Sequence, residues 1–306
     1  MHAMLRLSSL LALLLVAIPT QVLAQSATMD QSARSATSSA PVVLVTGSTD
    51  GLGREVALRL AASGAHVIVH GRNRERGEAV VAQIESEGTG SARFYAADLA
   101  DLGQVRDLGE RVMRDYDRLD VLVNIAGIWL RGDAARRLSA DGHELQFAVN
   151  YLSGYLLTHM LLPLLEQSAP SRIVNVASSA QAPLDFNDLM LERSYTGSRG
   201  YAQSKLAQVM FTFHLAREVE GRGIIVTALH PATLMNTTMV AEAGVAPRST
   251  VDEGARAVMQ LITGVVENGS YYDGLQPGRA HAQAYDERAR ARLDEIAARL
   301  TGVGGQ

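Results

Sequence analysis

From residue 41 onward the chain alternates two patterns. Short apolar runs rich in valine and isoleucine end at a glycine, asparagine or serine, and each is followed by a longer stretch of helical period. The runs at 42–47 (VVLVTG), 65–71 (AHVIVHG), 92–99 (ARFYAADL), 120–127 (DVLVNIAG), 172–178 (RIVNVAS) and 223–231 (GIIVTALHP) are candidate strands. Several are apolar at consecutive rather than alternate positions, which is the pattern of strands covered on both faces. Helical stretches at about 53–63, 74–87, 102–116, 141–166, 201–220 and 251–266 fill the gaps, and 282–300 reads as a closing amphipathic helix. This alternation predicts an α/β fold: a single doubly wound domain with a mostly parallel sheet and helices on both faces. No repeat and no linker interrupts 41–285, so one domain is expected over 41–306.

The first 40 residues break the pattern. MHAMLR precedes an apolar run at 7–18, and a Pro-Thr break leads on to Ala24, the three-part layout of a signal peptide over 1–24. The run is too short for a spanning helix, which needs roughly 20 residues, so no stable membrane span is expected. Residues 25–40, rich in Ser, Ala, Thr and Gln without period, read as a disordered linker. The expected location is exported or periplasmic if the signal is real, and cytoplasmic if translation starts at Met29.

Composition then removes several functions. A net charge of −4 over 306 residues leaves no basic footprint for nucleic acid. The absence of cysteine excludes disulfides, thiolate catalysis and cysteine-ligated zinc, and the eight histidines show no metal-ligand spacing, so no metal is expected.

Two features carry chemistry. The first strand runs into TGSTDGLG, whose Gly47, Gly51 and Gly53, with Ser48, Thr49 and Leu52, form a turn opening a helix. A glycine-rich turn in that place lets backbone amides approach a pyrophosphate, as in the Rossmann fold. The second strand ends at Gly71 and Arg72, where a ribose-binding acid would otherwise stand, so NADP(H) is preferred and NAD(H) stays as the alternative. Arg54 is a candidate helper, and Asp98 with Leu99 after the third strand would border the adenine. The second feature is the one lysine among 28 basic residues, Lys205, placed four positions after Tyr201 in YAQSK. On a helix the two share a face, and an ammonium there favours the phenolate of a tyrosine that otherwise titrates near 10.

With TGSTDGLG, NIAG at 124–127, Asn150 in FAVNYLSGYLLT, Ser178 in IVNVASSA and YAQSK in this order, the chain resembles the short-chain dehydrogenase/reductase family over about 41–285. The interval between Ser178 and Tyr201 and the tail YYDGLQPGRAHAQAYDERARARL resemble its retinol dehydrogenase and WW-domain oxidoreductase-like branch. The resemblance implies an oxidoreductase interconverting an alcohol with an aldehyde or ketone, with Tyr201 as general acid/base and Ser178, rather than its rival Ser179, bonding the substrate oxygen. Lys205 would lower the Tyr201 pKa and hold the nicotinamide ribose, and Asn150 would join Lys205 to a proton-relaying water chain. Asn124, Ala126 and Gly127 would line the cofactor. The segment HPATLMNTT departs from the family: Ala232 stands for its glycine and Asn236 for its threonine, so Pro231 and Thr233 are taken as cofactor residues while the carboxamide partner stays open. An apolar lid at 233–248 fits a small lipophilic alcohol or carbonyl substrate, with Trp129 either touching that substrate or packing under its loop. The family also implies a homo-oligomer. A dinucleotide-binding sensor or scaffold without turnover remains an alternative, and export sits awkwardly with use of a cytosolic cofactor.

Overall fold

The computed structural model describes residues 40–131 and 135–304, and the signal-peptide and linker assignments for 1–39 lie outside them. From Ala40 the chain forms one compact unit. Its eight strands are β1 (Val42–Thr46), β2 (His66–Gly71), β3 (Ser91–Ala96), β4 (Val121–Asn124), β5 (Ser171–Val176), β6 (Ile224–His230), β7 (Ser270–Asp273) and β8 (Gln276–Pro277). They lie in one sheet in the order β3-β2-β1-β4-β5-β6-β7-β8, all parallel except the last pair. The order reverses between β1 and β4, which places a crevice at the carboxyl ends of those two strands.

Both faces of the sheet are covered, because neighbouring strand residues serve opposite cores. Leu44 and Ile68 pack with helices α3 (Leu102–Asp115), α4 (Ser153–Gln167), α5 (Gly197–Glu218) and α8 (Glu287–Thr301). Val43 and Val45 pack with α1 (Gly51–Ala62), α2 (Arg74–Glu87) and α7 (Val251–Thr263). Polar caps start these helices: the side chains of Asp101, Thr196 and Asp286 each accept from amides in the first turn of α3, α5 and α8. Helix α8 closes the first layer, with Leu293 almost fully buried and Asp294 accepting a hydrogen bond from Tyr155 of α4 at 3.0 Å.

Four boundaries differ from the sequence expectation. The third strand stops at Ala96, leaving Asp98 and Leu99 in the turn that follows. Helix α5 starts at Gly197 instead of 201, since Thr196 is its cap. The expected helix over 141–166 is a composite rod: one α-turn at Leu145–Phe147, a π-turn at Ala148–Leu152, then α4. Strands β7 and β8 were not anticipated, because four and two residues are too few to show a period, although Asp273-Gly274 at the end of β7 is a hairpin turn signal. The span 145–167 is long and apolar enough to cross a membrane by composition, yet 78% of its most apolar window is buried against the fold.

Truncating Leu293 to alanine should cost about 2–5 kcal/mol of unfolding free energy, since the side chain is enclosed between α8 and the layer beneath. Urea denaturation followed by circular dichroism measures this, and a loss below about 1 kcal/mol would mean α8 is not part of the cooperative unit.

Candidate active site

At the crevice, β1 turns into α1 through glycines that nothing larger could replace. Gly47 and Gly51 sit at φ of +68° and +50°. A Cβ on Gly53 would lie 2.2 Å from the Gly47 carbonyl oxygen, and one on Gly47 would lie 2.9 Å from the Ala126 Cα. The turn is thus folded back on itself and pressed against the segment after β4. Thr46 ties the two together: its hydroxyl accepts from the amides of Ile125 and Ala126 at 3.1 and 3.2 Å. His70 of β2 clamps the other side. Its Nδ1 accepts the Gly47 amide at 3.1 Å, and its own amide donates to the Ser48 hydroxyl at 2.9 Å. Burial pushes this imidazole down to about 4, so at neutral pH it is uncharged and able to accept that proton.

The end of β2 shapes the next part of the cradle. A Cβ on Gly71 would meet Thr49 at 2.5 Å, so glycine is required where the turn crosses the strand. Arg72 is exposed, with its guanidinium 4.0 Å from the Asp98 carboxylate. Leu99 is buried beside Asp98. Arg54, the candidate helper, donates to Gln83 on α2 at 2.5 Å and so is engaged within the fold. The strand-end glycines and the compact turn at the start of α1 form a cradle that could hold a dinucleotide.

Four polar side chains meet across the cleft from three elements. Tyr201 and Lys205 project from α5, with the ammonium 5.7 Å from the phenol ring centroid. Ser178 follows β5 and is buried, whereas its rival Ser179 is exposed. The Ser178 carbonyl accepts hydrogen bonds from Tyr271 and Gln181, which fixes its backbone. Asn150 lies in the π-turn, which a hydrophobic pattern cannot reveal and which often marks a functional position. Its amide nitrogen donates to the Ile128 carbonyl and to Ser204, and its oxygen accepts the Ile128 amide at 2.8 Å. Asn150 therefore holds the strand of backbone that carries Ala126 and Gly127. A Cβ on Gly127 would come within 3.2 Å of the Asn150 oxygen and 3.5 Å of the Lys205 nitrogen. Asn124, at the end of β4, is buried and bonds Asn175 and Thr158, so it braces the strand ends instead of facing the cleft with its side chain.

Electrostatics depart from the expectation of a phenol lowered by its lysine. Burial raises the Tyr201 phenol above its ordinary range, with the Ser178 hydroxyl beside it acting the other way. Part of the tyrosine ring still reaches the cleft, where Trp129 packs at 5.7 Å between ring centroids. Lys205 is 4% exposed, and burial pushes its ammonium down to about 7. A lysine stripped of water loses much of its charge at neutral pH, and so cannot by itself outweigh the burial of the phenol.

The segment after β6 forms the far wall. Pro231 is buried, Thr233 is exposed, and the Thr233 hydroxyl shares a 3.0 Å hydrogen bond with His230. Leu234 takes φ of +51°, a strained value for a branched side chain that bends the loop back. The expected lid contains a short helix, α6 (Thr238–Glu242). Its first residue, Thr238, donates to Asp50 at 2.7 Å, and Thr237 lies against Gly51, so this segment docks on the glycine-rich turn. Sequence reasoning left Thr237 among the open candidates for the carboxamide and missed Thr46, His70 and the Asp50 contact. Only Thr46, as the hydroxyl just before the first glycine, carried a local signal. Among the described residues no cluster of His, Asp and Glu is arranged to hold a metal ion.

Comparison with known proteins agrees with this geometry. A family model described as short chain dehydrogenase matches residues 41–247. The human protein retinol dehydrogenase 13 is 34% identical, over 85% of this chain and 84% of its own length. Among solved structures, an uncharacterized protein from Mycobacterium paratuberculosis superposes with a TM-score of 0.71 at 28% identity, covering 87% of this chain and 97% of that one. A short chain dehydrogenase from Burkholderia cenocepacia in complex with NADP gives 0.62 at 31% identity, covering 76% and 95%.

The lysine leaves a signature in stability. Its folded pKa lies below the 10.5 of the free side chain, so the unfolded chain binds the extra proton and stability rises with pH between about 7 and 10.5. Lys205→Met removes that term. The melting temperature of the variant minus that of the native chain should therefore be greatest near pH 7 and shrink by pH 10, as read by calorimetry across that range.

Proposed function

Because the chain belongs to the short-chain dehydrogenase/reductase family, in its retinol dehydrogenase branch, we propose that it is an NADP(H)-dependent oxidoreductase acting on a lipophilic alcohol and its aldehyde or ketone. The observation that carries the reading is the meeting of Tyr201, Lys205, Ser178 and Asn150 at the open end of a glycine cradle. The bound nicotinamide dinucleotide supplies or takes the hydride. The protein's own residues handle the proton.

Tyr201 donates a proton to the substrate oxygen in reduction and accepts it in oxidation, and the Ser178 hydroxyl bonds the same oxygen and favours the phenolate. Lys205 approaches the Tyr201 ring and carries the positive charge that stabilises the phenolate in turnover. Asn150 keeps Gly127 close to the Lys205 nitrogen, so that the backbone leaves a slot beside the ammonium for a ribose. Nicotinamide dinucleotide use is consistent with the family, whose solved members include the NADP complex from Burkholderia cenocepacia. Preference for NADP(H) rests on Arg72, whose weak partner at 4.0 Å leaves a planar donor pair available to a 2′-phosphate. Trp129, packed on Tyr201, gives the cleft an apolar side, in keeping with the lipophilic alcohol in the name of the human relative, retinol.

Fluorescence titration with NADPH and NADH, followed by turnover on retinal and other lipophilic carbonyls, tests the reading; binding of neither dinucleotide would remove it. Tyr201→Phe should lower kcat by roughly 10²-fold or more while NADPH still binds. In the same assay Arg72→Ala should weaken NADPH about tenfold and NADH less than about threefold. An equal loss for both cofactors would remove the argument for the phosphate.

A further inference from the structure

Lys205 is the one lysine of the chain, and its ammonium is met by two oxygens: the Val176 carbonyl at 2.9 Å and the Gln208 side chain at 2.8 Å. The groups facing it come from four elements. Tyr201 shares its helix, Gly127 and the Asn150 amide close on it from the segment after β4 and from the π-turn, and β5 offers only backbone. Of these only Tyr201 titrates. No carboxylate, imidazole or guanidinium among the described residues adjusts the lysine, which burial alone depresses. A buried cation without a counter-ion depends on whatever dipoles touch it. Gln208 supplies the one side-chain dipole that does.

Gln208 is well placed for this. It follows Lys205 by three residues, on the same face of α5, and is 4% exposed. Its helical turn is braced in its turn: the Gln208 carbonyl accepts the Thr212 hydroxyl at 2.8 Å, and Thr212 accepts the Asn175 amide at 2.9 Å. Asn175 then accepts from Asn124 at 2.9 Å, so hydrogen bonds run from the glutamine's turn through β5 to the end of β4. A cavity of about 10 Å³ beside Gln208 has both polar lining, from Asn124 and Asn150, and apolar lining, from Val149 and Leu157.

We propose that Gln208 is a positioning residue for the reaction: its side-chain oxygen holds the Lys205 ammonium between β5 and Tyr201 and stabilises the charged form that the site needs. The inference rests on the assignment of Tyr201 and Lys205 as the reacting pair. Neutrality is part of the device. A carboxylate in this position would pair with the lysine and draw its charge away from the phenol, whereas an amide secures the ammonium without cancelling it.

The single lysine makes a direct test available. Full-length protein grown on lysine carrying ¹³C at Cε gives one side-chain resonance, and its shift against pH titrates Lys205 with neither cofactor nor substrate present. Relative to the native chain, Gln208→Met should lower the midpoint by about one pH unit, the size expected for losing a hydrogen bond to a charged group. Gln208→Glu should raise it by at least as much. Midpoints that stay within about 0.3 unit in both variants, or that move in the same direction, overturn the proposal. If Gln208→Met fails to fold, the glutamate variant decides alone: a raised midpoint supports and an unmoved one refutes. The pH profile of kcat should shift with the resonance while KM stays nearly constant. Shifted midpoints in a protein without turnover would keep the positioning role and discard the reaction, and turnover with unmoved midpoints would do the reverse.

Discussion

A positive charge buried among neutral oxygens is the constraint around which the cleft is built. Among the described residues Lys205 has no acid to balance it, so its surroundings must be dipoles held in place by the fold. This explains why so many of the polar side chains near it are amides. Asn150, Asn124 and Asn175 each join two elements through a side chain that can donate and accept, while Gln208 meets the lysine within α5. The arrangement costs stability locally and yields a lysine whose charge responds to small changes nearby.

The cofactor cradle follows a different logic, based on space. The glycines at 47, 53 and 71 are fixed by clashes of 2.2 to 2.9 Å that any side chain would meet, and the turn is then locked by Thr46 and His70. The two halves are linked where the turn presses against Ala126, one residue from the glycine that faces Lys205. A shift of the glycine-rich turn would therefore reach the proton-handling side chains through a short stretch of backbone. Under the proposed function, binding and chemistry would be mechanically joined.

How much of this could be read from sequence depended on the length scale of each feature. Strands covered on both faces and a glycine-rich turn after the first of them are visible as runs and spacings, and so the sheet and the cradle were legible. Tyr201 and Lys205 stood out because the one lysine falls a helical turn after a tyrosine, whereas Ser178 was named through the family resemblance. The π-turn at Ala148–Leu152 was not legible, since one extra residue in a turn barely disturbs an apolar stripe. His70 was hidden for another reason. Its role comes from a contact across 23 residues of sequence, and in a buried strand a histidine carries no local mark of what it accepts. The tyrosine's proton affinity was misjudged because sequence shows a neighbouring cation but not the water that both groups lose.

The π-turn also bears on how such chains diverge. A π-turn holds one residue more than the same stretch of α-helix would, and here it is the turn that presents Asn150. Removing a single residue from Ala148–Leu152 would let the rod close into an ordinary helix with its apolar stripe nearly preserved, while rotating the asparagine away from Ile128. Such a deletion would keep the fold and take Asn150 out of its place beside Ile128, while leaving little trace in the hydrophobic pattern.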